Sequence, residues 1–317
     1  MRVIDYINSS EKTAFSFEVL PPLKGTCISR LFGNIDRLME FNPGYINITT
    51  HHSEPVYQNL GNGTFKLSSI RRRPGTVAVA TAIHHRYNIP VVPHILCNGY
   101  TFEDTEYVLI DLQLSGITDI LVLRGDKYKA DANTLPAKSG NRYAIDLVGQ
   151  VNRFNEGFFA DGTPMKERGE QFSFGVACYP EKHEEAPNLE SDLAVLKQKA
   201  DAGAAYAVTQ MFFDNRKYFS FVEKARAMGI TIPIIPGIKP IHRLSQLNVL
   251  PKTFRVDLPT ELVNELVKCK DDVAAAQVGR EWGKQQCREL VESGVPSIHF
   301  YTLNAFDSVY EIAKAIY

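Results

Sequence analysis

Eight short apolar runs recur along the chain with stretches of helical periodicity between them, and this alternation restricts the fold more than any other feature. The runs are FSFEVL (15–20), YINITT (45–50), IPVVPHILC (89–97), ITDILVLRGD (117–126), the segment 172–178, YAVTQMFF (206–213), IPIIPGI (232–238) and SIHFYTL (297–303). The spacing predicts helices over 29–40, 76–87, 102–115, from about 143, over 189–202 and over 217–228. Asn188 is placed to cap the 189–202 helix, and Gly203 follows its end. Two more helices are expected before the eighth strand, the second over 271–293 and stopped by Gly294 and Pro296, and a short helix ends the chain. Strands that read as continuous apolar runs are buried on both faces, which is the condition of a parallel sheet covered by helices. The expectation is therefore an α/β fold, a single (β/α)8 TIM barrel with extra helices before the last strand, occupying residues 1–317 as one domain. A doubly wound sheet holding a dinucleotide would want a GxGxxG turn after an early strand, whereas the GNG at 61–63 stands alone in a long connection read as loop.

Composition excludes several classes of partner. With 44% hydrophobic and 22% charged residues and a formal net charge of −1, nothing in the chain attracts nucleic acid or an anionic membrane. The N-terminal MRVIDYINSSEKT breaks its apolar residues too often for a signal peptide, and no apolar run is long enough to span a bilayer. Five scattered cysteines offer neither a disulfide framework nor a CxxC pair for zinc, so a reducing cytoplasm is expected and no metal. Cys97 and Cys178 lack an obvious base partner and read as packing residues.

The polar residues fall in a pattern. Glu18, Thr49, His94, Arg124, Asp126, Tyr179, Gln210 and Asn304 sit at or just beyond the carboxyl ends of the expected strands, the face where barrels of this kind bind ligands. Period-two alternation sets Ser16, Glu18 and Leu20 opposite Phe15, Phe17 and Val19, and in a helix-covered barrel only the mouth hosts a carboxyl cheaply. A carboxyl among apolar neighbours can serve as a general acid, and the competing reading is a strand-end glutamate paired with Lys24 or an arginine. His94 reads either as a ligand contact or as a satisfied core histidine, and Arg124 with Asp126 either as a site or as a structural ion pair. Asp192 and Lys199 share one helix face, which is ordinarily solvated, and Arg71, Arg72 and Arg73 read as a solvated loop too, with a phosphate contact as the alternative.

Nine motifs in register, SFEVLPP, ITT, PHILC, VLRGD, YAIDLV, ACYPEKH, DLAVLKQKADAGAAYAVTQMFFD, IIPGIKP and HFYTLN, resemble methylenetetrahydrofolate reductase from near one end of the chain to near the other. The resemblance implies a TIM barrel that holds FAD and reduces 5,10-methylenetetrahydrofolate to 5-methyltetrahydrofolate with NAD(P)H, by a ping-pong scheme, feeding methionine synthesis. It implies that Glu18 is the catalytic acid and that Thr49, His94, Arg124, Gly125, Asp126, Ala144, Tyr179, His183, Asp192 and Lys199 hold the flavin. Asp126 would in addition lie near the isoalloxazine and the pterin, tuning the flavin by its charge. Gln210 and Gln246 would contact the folate, and the protein would be a homo-oligomer. Two departures stand out: Thr50, His51 and His52 follow Thr49 where the family often has an aromatic and small residues, and Ala305 replaces a common arginine. His242 or Arg243 would then have to supply the missing cation. The chain also ends after the barrel, which implies no inhibition by S-adenosylmethionine. The alternatives left open are a flavin barrel of the proline dehydrogenase kind, a flavin-free folate methyltransferase barrel, and a non-catalytic flavin-binding partner.

Overall fold

The apolar runs pair edge to edge as parallel strands. In the computed structural model, which describes residues 1–51, 54–125, 139–303 and 305–317, the chain forms β1 (Ala14–Val19), β2 (Tyr45–Ile48), a hairpin of β3 (Glu54–Asn59) and β4 (Phe65–Ile70), then β5 (Val91–Leu96), β6 (Asp119–Leu123), β7 (Ser173–Cys178) and β8 (Tyr206–Thr209). The seventh apolar run splits at Pro236 into β9 (Ile234–Ile235), which pairs with β8, and β10 (Gly237–Ile238), which pairs with β11 (Ser297–Tyr301). Because β11 pairs in turn with β1, the two halves of one broken strand close the ring into the expected TIM barrel. Proline cannot donate to a ladder; its carbonyl accepts from His299 N–H at 2.9 Å, and Gly237 N–H donates to Thr209 Oγ1 at 2.9 Å, so the break is stitched on both sides.

Outside the ring run α2 (Ser29–Leu38), α3 (Thr76–Tyr87), α4 (Phe102–Leu114), α5 (Ala144–Asn155), α6 (Leu189–Asp201), α7 (Asn215–Ala227), α10 (Asp272–Glu292) and α11 (Phe306–Ala313), after a first helix α1 (Val3–Ser9). Asn188 caps α6 by accepting from Ser191 N–H at 2.8 Å, and Gly203 takes φ +97° beyond it, both as expected. The outward residues Phe15, Phe17, Ile46, Ile48, Val122, Val176 and Phe300 join the apolar stripes of these helices in one core, each large side chain contributing roughly 1.5–3 kcal/mol of burial. No helix among the described residues is long and apolar enough to cross a membrane.

The structure departs from the sequence reading in three places. Three helices rather than two precede β11: α8 (Gln246–Phe254), α9 (Thr260–Val267) and α10, with the left-handed Arg255 ending the first. The connection after β2 is no simple loop but contains the β3–β4 hairpin, which leaves Tyr57, Phe65 and Leu67 exposed. The N-terminal segment is a helix, α1, that plugs the barrel floor, where Val3 and Ile7 pack on Tyr45, Val92, Leu121, Tyr206, Val208 and Ile235. Val3 N–H donates to Asp119 Oδ1 at 3.2 Å, so the first residue of β6 holds the plug. Gly175 lacks a side chain because a Cβ there would lie 2.4 Å from the Tyr206 ring that fills the same layer.

Candidate active site in the barrel mouth

Strand register decides which side chains meet. Phe17, Phe300 and Ile238 lie level on β1, β11 and β10 and face the helices. One residue further along each strand, Glu18, Tyr301 and Lys239 therefore face the interior in one layer. One residue back, Ser16, His299 and Gly237 form the layer beneath. Glu18 is 4% exposed, at the carboxyl end of β1, and its Oε2 lies 3.8 Å from His299 Nε2 and 3.9 Å from His94 Nε2. Burial drives the His94 pKa down to about 4, so near neutrality the ring is uncharged and the contact with Glu18 is not an ion pair. Asn47 Nδ2 lies 3.3 Å from His94 Nε2, and Ser16 Oγ lies 3.1 Å from His299 Nδ1. Among the described residues the ion-pair contacts of Glu18 within 4 Å are the two imidazoles rather than Lys24 or an arginine, the pairing that would have made it merely structural.

A second group lies beyond β6 and β7 on the same face. Arg124 follows β6, donates through Nη1 to Glu185, and sets its guanidinium 5.2 Å from the Tyr143 ring centroid, while its buried Nε has no partner among the described residues. Gly125 has φ +88°, a conformation that favours glycine, and its carbonyl accepts from Asn98 Nδ2 at 3.2 Å. Tyr179, just past β7, packs edge-on against His183 with ring centroids 4.7 Å apart. His183 N–H donates to Asp192 Oδ2 at 2.8 Å. Burial raises the Asp192 pKa and lowers those of Lys199 and His183. Lys199 is only 8% exposed, and its Nζ donates to Ala177 O at 3.2 Å, so the solvated-face reading fails for it. Ala177, Cys178, Tyr179, Asp192, Leu196 and Lys199 line one small cleft. Ala144 opens α5 nearby, and Thr49, just past β2, bonds to Val19 O at 3.3 Å.

Gln210 follows β8, and its Oε1 accepts from Met211 N–H at 2.9 Å. Gln246 opens α8, its Oε1 accepting from His242 and Arg243 N–H at 2.7 and 3.0 Å. With their carbonyl oxygens so engaged, the two amides have their NH2 groups left to donate. Asp126, His52 and Asn304 lie outside the described residues. Arg243 is exposed and His242 half-buried, and Ala305 is buried at the start of α11. Cys97 and Cys178 are buried with thiol pKa values pushed up by desolvation, as packing residues should be.

Ser16 joins the site as alternation implied, but His299, Tyr301 and Lys239 were not singled out from the sequence. Their signal was the alternation in SIHFYTL and GIKP, legible only once Phe300 and Ile238 are known to face outward. A separate cavity of about 270 Å³ lies between α4 and α5, lined by Phe102, Glu106, Arg153 and Phe158 among others, apart from the carboxylate and its imidazoles.

Comparison with known proteins agrees with the barrel fold. The family profile of methylenetetrahydrofolate reductase matches residues 3–317. The chain is 31% identical over 317 residues to methylenetetrahydrofolate reductase (NADH) 1 of Arabidopsis thaliana, covering 96% of this chain but 49% of that protein, so it spans about half the length of that relative. It is 31% identical over 304 residues to 5,10-methylenetetrahydrofolate reductase of Escherichia coli, covering 95% of this chain and 90% of that one. Among solved structures, a Clostridium thermocellum protein that binds two copies of 5-methyl-5,6,7,8-tetrahydrofolic acid shares the fold, with a TM-score of 0.58 and 15% identity over 99% of this chain and 98% of that chain. A barrel with a buried glutamate at its mouth, matched along essentially its whole length by the family profile, belongs to the methylenetetrahydrofolate reductase family.

Proposed function

We propose that this chain, acting as one catalytic domain, reduces 5,10-methylenetetrahydrofolate to 5-methyltetrahydrofolate with FAD as its cofactor and NAD(P)H as electron source, in a ping-pong scheme that feeds methionine synthesis. The observation that carries the reading is Glu18, a buried carboxyl in the barrel mouth with two imidazoles within 4 Å of it. A carboxyl in such a setting is suited to donate a proton to a substrate.

The residues beyond β6 and β7 fit a flavin dinucleotide. Arg124 Nε is buried without a partner among the described residues, and Lys199 is a buried ammonium that donates to the Ala177 carbonyl; a diphosphate supplies the acceptors both need. Arg124, Gly125, Asp126, Ala144, Tyr179, His183, Asp192 and Lys199, with Thr49 and His94, would hold the group. Bound there, FAD supplies the capacity to take hydride from a nicotinamide and pass it to the folate.

The chain's own part is acid catalysis and positioning. Glu18 gives a proton to a folate nitrogen, which opens the five-membered ring and leaves an iminium carbon ready to become the methyl group. The uncharged His94 adds no positive charge beside that cation. Gln210 and Gln246 offer NH2 donors to acceptor atoms of the folate. The test is an anaerobic stopped-flow trace of flavin absorbance, with NADH or NADPH first and 5,10-methylenetetrahydrofolate second. Bleaching followed by recovery is expected. A colourless protein, or a reduced one that the folate leaves bleached, overturns the reading.

A further inference from the structure

Lys239 is a charged group that the reaction as described leaves without a task. It is 5% exposed, and its Nζ has no hydrogen-bond partner among the described residues. An ammonium is rarely left in that condition, because taking it from water without a partner costs several kcal/mol. Its place follows from register: β10 pairs Ile238 with Phe300, β1 pairs Phe17 with Phe300, and both flanking side chains face the helices. Lys239 therefore shares the inward layer of Glu18, with Tyr301 of β11 between them. The Tyr301 ring lies across Gly237, and its OH donates to Thr209 O at 2.5 Å. The charged or titratable groups around this pair are Glu18 of β1, His94 of β5, His299 and Tyr301 of β11, and His242 of the following loop. Of these, Glu18 is the carboxylate that acts on Lys239.

The proposed reaction creates a difficulty that this placement resolves. A fixed ammonium beside the folate would repel the iminium that ring opening produces, and a buried Glu18 that has given up its proton needs a source for the next. We propose that Lys239 is the proton source for Glu18: when substrate enters the mouth, a proton passes from Lys239 Nζ to the Glu18 carboxylate through an intervening water. The charged pair becomes a carboxylic acid and a neutral amine. Glu18 then protonates the folate nitrogen, the carbon–nitrogen bond breaks, and the positive charge resides on the iminium, opposite a carboxylate and beside an uncharged amine. Hydride addition neutralises the iminium, and solvent returns one proton to the amine after product leaves, so each turnover consumes one proton. Burial already lowers the Lys239 pKa to about 8, which puts its proton within reach of a nearby base. Lys239 acts through Glu18 and is a positioning residue.

This inference rests on Glu18 as the acid, and its test separates the two. The full chain with bound flavin is prepared as wild type, Lys239→Met and Lys239→Arg, with flavin content and Tm as controls on folding. Reoxidation of the reduced protein by 5,10-methylenetetrahydrofolate is then followed from pH 5.5 to 8.5. Lys239→Met is expected to slow this step by about 10²-fold at pH 7.5, the low end of what proton transfer contributes, and to recover as pH falls and solvent protonates Glu18 directly. Lys239→Arg keeps the charge but cannot release a proton, so it is expected to fail equally, while added methylamine restores the Met variant. Full activity in Lys239→Arg, or a Met variant whose defect is a raised KM at unchanged kcat, overturns the proton-source role. Wild-type protein that the folate cannot reoxidise overturns the reading of the site itself.

Discussion

Asp119 offers a quantitative test of how the barrel floor is built. It begins β6, is 5% exposed, and accepts from Val3 N–H at 3.2 Å. Burial raises its pKa from 3.8 to about 6, the hydrogen bond from Val3 offsetting only part of the shift. A carboxyl whose folded pKa is raised favours the folded state while protonated; that contribution is complete below the unfolded value and is lost as pH rises through about 6. A shift of about 2 pH units corresponds to about 3 kcal/mol carried as a penalty at pH 8. Asp119→Asn keeps an oxygen to accept from Val3 and cannot ionise. Linkage predicts that the variant is more stable than wild type by about 1.5 kcal/mol at pH 5 and about 3 kcal/mol at pH 8, a Tm gain of roughly 5 °C at the higher pH for a chain of this size. Urea unfolding of both proteins across pH 5–8 reads the gap directly. A gap that stays flat with pH, or a variant less stable than wild type at pH 8, refutes the assignment of a strained carboxyl to the floor.

Further outcomes follow from other contacts. At Gly279 of α10 a Cβ would lie 2.0 Å from Ile241 O, a backbone atom, so Gly279→Ala should cost about 1–3 kcal/mol in urea unfolding, and a neutral result would contradict the packing of α10 on the 239–246 segment. Asn188→Ala removes the cap of α6 and should cost about 1 kcal/mol in the same assay, an unchanged midpoint counting against the cap. Lys199→Met removes a buried ammonium; it should reduce FAD affinity at least about tenfold by equilibrium titration while leaving Tm of the flavin-free protein equal or higher, and unaltered affinity would remove Lys199 from the flavin site.

The strands were legible because a parallel strand under helices is buried on both sides and writes itself as an apolar run, as in β6 between Asp119 and Arg124. The β3–β4 hairpin is not legible for the opposite reason: none of its described residues joins an apolar core, so polar and apolar residues mix along both strands and GNG reads as part of a connection. Helix α1 was missed because seven residues carry two buried positions, too few for a period to show. Of the site, Glu18, His94, Arg124 and Tyr179 were readable as polar residues at strand ends, and all four sit on the mouth side. Lys239 and His299 were not, because their inward direction depends on the register of β10 and β11, which pair across residues far apart in sequence.

Folate reduction is proposed to depend on the proton that Glu18 donates. Glu18→Gln keeps the shape of the side chain but has no acidic proton to give, so the expected outcome is flavin content close to wild type, reduction by a nicotinamide, and reoxidation by 5,10-methylenetetrahydrofolate slowed by about 10²–10⁴-fold in anaerobic stopped flow. Reoxidation of the Gln variant at the wild-type rate would contradict it.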